Sequence, residues 1–259
     1  MSGDIFEPGD IVLLVQRDNR KKYVILLEES GVYMTVGGFI KASDLLGIEP
    51  GSIVKTSAGV EFYALRGSII EELEVFTRKS QVIYPKDLAI ISMLLGVRPC
   101  MRMIQSGVGA GYSLAFFAGL LGDCGEITGV DLREDMILVA EKNMAKLGYR
   151  NVKLLTGNIE EVDFKDPPYD NALLDLPNPY RALLNIHQYM KSGARIAVYL
   201  PTISQVERLK GQLEGSDKYY WLGTYESWIR EWVVLPRKTR PVNTPSSHTG
   251  FIVILARLI

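Results

Sequence analysis

The 259-residue sequence contains only two cysteines and two histidines. Two cysteines are too few for a disulfide framework, and Cys100 and Cys124 fall in no metal or thiol motif. Free cysteine is among the most buried residue types, so both are expected as apolar thiols inside the fold. The shortage of His and Cys excludes the usual zinc ligand sets. Neither His187 nor His248 stands in a Ser-His-Asp or Cys-His arrangement that would carry nucleophilic catalysis. No apolar run reaches the roughly 18 residues of a membrane span. The opening residues, MSGDIFEPGD, lack the basic-then-apolar order of a signal peptide. A cytoplasmic protein with no membrane and no metal partner is expected. Strong charge of one sign is also missing: Lys and Arg total 29, Asp and Glu 30, for a net charge of −1. That balance is unlike the basic field of most nucleic-acid binders. Two local basic clusters remain, Arg17-Asp18-Asn19-Arg20-Lys21-Lys22 and Arg237-Lys238-Thr239-Arg240. Each can touch phosphate or be a solvated loop.

What the chain does have is a glycine loop in a defined setting. Met101 to Ile104 is a short apolar run, followed by Gln105-Ser106-Gly107-Val108-Gly109-Ala110-Gly111. A helix-length apolar stretch, Ser113 to Leu121, comes next, then a β-rich run, Glu126 to Val130, that ends on Asp131. Glycines let the backbone turn sharply and leave no side chain between chain and ligand. Asp131 stands twenty residues beyond Gly111. Nucleotide-binding α/β folds place at that distance the carboxylate that accepts ribose hydroxyls. The spacing is G-x-G-x-G, not G-x-G-x-x-G, which favours S-adenosyl-L-methionine over a nicotinamide dinucleotide. A tight βα turn without a ligand would use the same residues. The strand, the helix and the spaced acid favour the nucleoside-type ligand.

Residues 1–75 look unlike the rest. Short β-type runs at Ile11–Val15, Tyr23–Leu27, Val32–Val36, Ile53–Thr56 and Glu61–Leu65 alternate with turn signals such as Pro8-Gly9 and Pro50-Gly51. That pattern predicts a small β domain, barrel or sandwich. Gly37 to Gly47 reads as a turn followed by a short helix, and Ser68 to Arg78 as a partly helical linker. Residues 76–259 form the second expected domain. Pro85 fits the first turn of a helix through Leu95. From Met101 on, apolar strands alternate with helices, the signature of a parallel sheet covered on both faces. Strands are expected at Val152–Leu155, Ala172–Asp175 and Ala194–Leu200, and helices at Glu134–Lys146, Tyr180–Met190 and Ser204–Leu213. Two β-rich stretches, Tyr219–Leu235 and Gly250–Leu258, suggest an antiparallel pair at the sheet edge.

Three positions fall where the chain leaves the carboxyl ends of strands: the glycine loop, Asn158 and Asp175. Open α/β sheets bind ligands there. Asn158 can bond a base edge or simply shape a turn. Asp175 precedes Leu176-Pro177-Asn178-Pro179, so its carboxylate sits in a rigid loop. It can accept from an exocyclic amine and stabilise a developing cation, or it can serve as an acid at a helix N-terminus.

Taken together, these stretches resemble a known family, the tRNA adenine-N1 methyltransferases that modify the T loop, in their archaeal and bacterial single-subunit form. The resemblance covers nearly the whole chain. It rests on Gln81-Val82-Ile83-Tyr84-Pro85-Lys86-Asp87, the glycine loop, and Asp131-Leu132-Arg133-Glu134-Asp135. It continues through Asp175-Leu176-Pro177, Pro201 to Val206, Arg230-Glu231-Trp232 and His248-Thr249-Gly250-Phe251. The resemblance implies an α/β fold, a class I S-adenosylmethionine-dependent (Rossmann-like) sheet with a small N-terminal β domain. It further implies a homotetramer, tRNA as substrate, and methyl transfer to N1 of adenine 58, in some archaea also 57. By match, Gln105, Gly107, Val108, Gly109, Ala110 and Gly111 would hold the amino-acid part of the cofactor, and Asp131 its ribose. Asn158 would face its adenine, and Ile159 would also bind the cofactor. Asp175 would sit at the reaction centre. Gln81, Tyr84, Pro177 and His248 would lie near cofactor or target base. The family usually carries glutamate where this chain has Gln105 and aspartate where it has Asn158. The alternative reading is a non-catalytic tRNA-binding partner subunit.

Overall fold

The computed structural model describes residues 5–18, 21–76, 81–242 and 248–259. Asn19 and Arg20 of the first basic cluster, and the end of the expected linker at Thr77 and Arg78, lie outside them. The chain divides into two compact units, Met1–Thr77 and Arg78–Ile259.

Among its described residues the first unit has six strands and one α-helix: β1 Ile11–Gln16, β2 Lys22–Leu26, β3 Val32–Thr35, β4 Gly38–Lys41, β5 Ile53–Lys55, β6 Glu61–Arg66 and α1 Ile69–Glu74. Four strands form an antiparallel sheet in the order β2-β1-β6-β5, and β3 pairs with β4 as a separate hairpin. Alternate residues of the central strands, among them Val12, Leu14, Phe62 and Ala64, are fully buried with Phe6, Leu27, Ile40 and Leu45. This period of two is what a one-sided sheet requires. The structure corrects the reading of residues 37–47. Gly38 opens a strand, Ile40 of that strand is fully buried, and the helix shrinks to a single 3-10 turn, Ala42–Asp44. Two adjacent glycines with positive φ made the turn legible; burial of Ile40 keeps the following residues extended. The linker does carry a helix, α1, started by the Ser68–Glu71 capping box.

The second unit runs α2 Pro85–Leu95, β7 Arg102–Ser106, α3 Tyr112–Leu121, β8 Glu126–Asp131, α4 Glu134–Lys146, β9 Val152–Thr156, β10 Tyr169–Leu174, α5 Tyr180–Ile186, β11 Met190–Leu200, α6 Ile203–Gln212, β12 Tyr219–Tyr225, β13 Trp232–Val233, β14 Arg240–Pro241 and β15 Phe251–Arg257. Seven strands make one sheet in the order β12-β15-β11-β10-β7-β8-β9. The set β7 to β11 is parallel, and β15 runs antiparallel between β11 and β12. From β7 the chain first moves one way, to β8 and β9, then crosses back to β10 and β11. The switch point therefore lies between β7 and β10. Central residues such as Ile104, Val130, Leu174 and Val198 are fully buried, as expected of strands covered on both faces.

Three local expectations change. The helix from Tyr180 ends at Ile186, and Met190 already pairs with Tyr169 as the start of β11. The β-rich run from Tyr219 breaks at Tyr225, and Trp232–Val233 forms its own hairpin with Arg240–Pro241. Cys100 and Cys124 are not buried thiols. They are exposed and disulfide-bonded, with Cα atoms 4.6 Å apart. One enters β7 and the other enters β8, and those strands are parallel neighbours. A βα unit returns the chain to the same edge of the sheet, which brings the two residues together.

Candidate functional site at the carboxyl edge of the sheet

A cavity of about 390 Å³ opens at the switch point, lined by residues that include Ser106, Gly107, Asp131, Asn158, Ile159, Asp175 and Pro177. It lies within the size range of small-molecule sites. Six sequence candidates thus meet in one place: Gly107, Asp131, Asn158, Ile159, Asp175 and Pro177.

The glycine loop is shaped by close approach. Gly107 has φ +79°, and a Cβ there would lie 2.2 Å from the carbonyl oxygen of Asp175. Its N–H donates to the Val130 carbonyl at 3.1 Å, and the Asp175 N–H donates to Ser106 O at 3.0 Å. The loop after β7 is thereby tied to the ends of β8 and β10. Gly111, φ +90°, is the N-cap of α3, so α3 begins directly behind the loop. Val108 and Ala110 are buried behind the loop, and Asn143 from α4 donates to Ala110 O at 2.8 Å.

Asp131 ends β8 and is 7% exposed. Gly109 N–H donates to its Oδ2 at 2.9 Å and Arg133 N–H to its Oδ1 at 3.0 Å. Both oxygens are oriented by backbone while the residue still lines the cavity. Gln105 is fully buried; its Nε2 donates to Ser113 Oγ at 2.8 Å, and its Oε1 has no partner among the described residues. Asn158 shapes a turn, its Oδ1 accepting from Glu160 N–H at 3.1 Å, and it also faces the cavity.

Asp175 is the electrostatic outlier. Burial, then the negative charge of Asp131, pushes its carboxyl up to about 6. Desolvation and a like charge both disfavour the ionised form. The carboxylate is poised to gain from any cation or donor that enters the cavity.

Gln81, Tyr84, Gln105, Val108, Gly109, Ala110, Gly111 and His248 are not among the lining residues. Tyr84 is the N-cap of α2, with Pro85 at the first helical position, and it is exposed. His248 faces acceptors with both ring nitrogens, Pro201 O at 2.8 Å and Glu226 Oε1 at 2.7 Å. The Pro201 carbonyl, then the Glu226 carboxylate, raises its imidazole above the usual value. His187 lies in a 3-10 turn edge-on to Tyr219, and burial lowers its imidazole.

Sequence reasoning missed four residues near this edge. Lys86, Asp87, Tyr199 and Ser227 meet with Thr249 in one buried polar cluster. Lys86 and Asp87 lay in a quoted motif, but nothing local marked them as buried.

The chain can be placed among known proteins. A family model described as tRNA methyltransferase complex GCD14 subunit matches residues 73–249. The tRNA (adenine(58)-N(1))-methyltransferase TrmI of Thermus thermophilus is 31% identical over 96% of this chain and 97% of its own length. Among solved structures, a SAM-dependent O-methyltransferase from Thermotoga maritima superposes with a TM-score of 0.86 at 30% identity, over 99% of this chain and 96% of the other. The tRNA (m1A58) methyltransferase TrmI of Aquifex aeolicus gives a TM-score of 0.82 at 25% identity, over 98% and 99%. With its glycine loop, its β8 carboxylate and a class I S-adenosylmethionine-dependent sheet, this chain belongs to the family of tRNA (adenine-N1)-methyltransferases.

Proposed function

We propose that this protein methylates N1 of adenine 58 in the T loop of tRNA, with S-adenosylmethionine as methyl donor. The observation that carries the reading is Asp175: a desolvated carboxylate at the end of β10, opening on the same cavity as the ribose-type acid Asp131. The fit to the cofactor rests on the cradle at Gly107, which a Cβ would fill, and on Asp131 oriented by two backbone N–H groups. Bound there, S-adenosylmethionine supplies a methyl group on a positively charged sulfur. The loop from Gln105 through Gly107, Val108, Gly109, Ala110 and Gly111 holds its amino-acid end, Asp131 its ribose, and Asn158 and Ile159 its adenine. Asn158 lines the cavity while its Oδ1 accepts from Glu160 N–H, whereas Gln105 is fully buried with its Nε2 donating to Ser113 Oγ, so its part would be to brace the loop rather than to touch the cofactor.

Adenine N1 carries a lone pair at neutral pH, so no base has to deprotonate it before attack. When bound, the donor would supply its methyl group to N1, and the methylated base would be cationic. Asp175, accepting from the exocyclic amine, stabilises that charge electrostatically. Pro177, Tyr84, Gln81 and His248 are read as framing the target base or the cofactor. The base must leave its stack, at about a few kcal/mol.

The finer readings are a homotetramer and a cytoplasmic location. A subunit of net charge −1 has little electrostatic grip on tRNA, and an assembly would set basic clusters side by side. Large apolar residues stand exposed around the short hairpin, Ile229, Trp232 and Val234 among them, in keeping with a subunit contact. Among the described residues no helix is long and apolar enough to cross a membrane.

The test is incubation with an unmodified tRNA transcript and S-adenosylmethionine, then digestion and mass spectrometry of the nucleosides. 1-Methyladenosine at position 58 is the expected product, and a methyl group at 57 as well would widen the specificity. A ribose O-methyl product, or none with cofactor bound, would overturn the reading. Light scattering of the purified protein checks the tetramer.

A further inference from the structure

A buried ionic cluster stands beside the cavity and is not part of its lining. Asp87, in the first turn of α2, is fully buried, and Lys86 is 8% exposed. The Asp87 carboxylate accepts from Lys86 Nζ at 2.9 Å, Ser227 Oγ at 2.5 Å, Thr249 Oγ1 at 2.7 Å and Tyr199 OH at 3.1 Å. Lys86 Nζ also donates to Ser227 O at 3.0 Å and Thr249 Oγ1 at 2.6 Å. Four separate stretches of chain converge: the start of α2, the end of β11, the segment after β12 and the approach to β15.

Burying an ion pair does not by itself stabilise a fold over apolar packing, so its presence calls for another reason. Tyr199 supplies one. Leu174 of β10 is in register with Val198 of β11, which puts Tyr199 beside Asp175. Burial, then the charges of Asp87 and Asp175, drives the Tyr199 hydroxyl above its ordinary value, so it stays a donor. From the other side Gly250 closes on the ring: a Cβ there would lie 2.4 Å from Tyr199 Cζ. The phenol is thus pinned at its hydroxyl by Asp87 and at its ring by Gly250.

We propose that Asp87, backed by Lys86, is a positioning residue for methyl transfer: it fixes Tyr199 on the strand next to Asp175, where the target base is presented. This rests on the adenine-N1 reading above. The cluster acts through Tyr199 on the placement of the base, not on cofactor binding.

A double-mutant cycle tests it. Methylation kinetics on tRNA transcript are measured for wild type, Asp87→Asn, Tyr199→Phe and the double variant, with the dissociation constant for S-adenosylmethionine alongside. Asp87→Asn is expected to lower kcat about tenfold or more, the scale of a lost charge-assisted hydrogen bond. Cofactor affinity stays within about twofold, and Asp87→Asn costs little further in the Tyr199→Phe background, because coupled residues are not additive. Equal losses in both backgrounds overturn the proposal, as does a wild-type kcat in Asp87→Asn. If Asp87→Asn does not fold, Thr249→Val and Thr249→Ser carry the same test. Valine should lose kcat and serine, which keeps the hydroxyl, should restore it; equal rates for the two overturn the proposal. A wild-type enzyme that makes no 1-methyladenosine refutes the function itself, a separate outcome.

Discussion

Gly107 and Asp175 approach so closely that a Cβ on the glycine would lie 2.2 Å from the aspartate carbonyl oxygen. The two residues directly follow neighbouring strands β7 and β10, and both line the cavity. Gly107→Ala has to relieve that overlap and also adopt φ +79°, which costs an L-residue about 1–2 kcal/mol before any clash. The loop must shift, and with it the Asp175 backbone. Calorimetric titration should show cofactor binding weakened at least about tenfold, since roughly 1.4 kcal/mol is a factor of ten. Wild-type affinity in this variant would mean that the close approach does not shape the site.

Asp131 engages two backbone N–H groups, from Gly109 and Arg133, and still faces the cavity. Asp131→Ala removes the ribose acceptor and frees the glycine loop at once. Hydrogen bonds to a charged group contribute about 1.5–3 kcal/mol each. The dissociation constant for S-adenosylmethionine should therefore rise by roughly ten- to a hundredfold, on the same principle's scale. Turnover at saturating cofactor should recover better than affinity does. An unchanged constant would remove Asp131 from cofactor binding.

Asp175 titrates at about 6 because it is buried beside Asp131. Its ionised form is the active one in the proposed mechanism. Accordingly kcat/KM should fall below about pH 6, the value of the free enzyme. The kcat profile should fall at lower pH, because a bound cation favours the carboxylate. Asp175→Asn should lose the acidic limb together with about 10²–10³-fold of kcat. The same shift has a stability sign. A carboxyl raised above its unfolded value of 3.8 favours the fold while protonated and loses that contribution as pH climbs toward about 6. At pH 7.5 the asparagine variant should thus melt higher than wild type while turning over far less. A lower Tm with a preserved acidic limb would take Asp175 out of both roles.

The legible parts of this molecule were local. The run from Met101 to Asp131 carries its own strand, turn, helix and acid within thirty-one residues, and the structure places those elements as read. Asp175 was visible because an apolar strand ends on it. What stayed hidden depends on pairing at long range. Tyr199 and Asp87 lie 112 positions apart, and Lys86 and Thr249 lie 163 apart. Both conspicuous motifs, Tyr84 to Asp87 and His248 to Phe251, were seen, but their joining requires β15 to insert next to β11. Ile40 shows the same limit at small scale: a turn signal was read correctly, and burial in the tertiary core then decided strand over helix.

The disulfide was hidden for the same reason, and it leads to a separable prediction. Cys100 and Cys124 enclose 24 positions of chain. Closing a loop of that size in the unfolded state stabilises the fold by about 3 kcal/mol in the chain-entropy view. The bond joins the amino ends of β7 and β8, whereas the cavity lies at their carboxyl ends. Five strand residues separate the two edges by about 15 Å, and β7 is paired on both sides from Met103 to Ser106. Reduction should therefore lower the melting temperature by roughly 6–12 °C for a protein of this size and leave kcat and cofactor affinity unchanged at 25 °C. The Cys100→Ser/Cys124→Ser variant should melt like the reduced protein, with or without reductant. A double-serine variant as stable as oxidised wild type would show that the bond does not contribute. Lost turnover at wild-type stability would instead connect the two ends of the sheet.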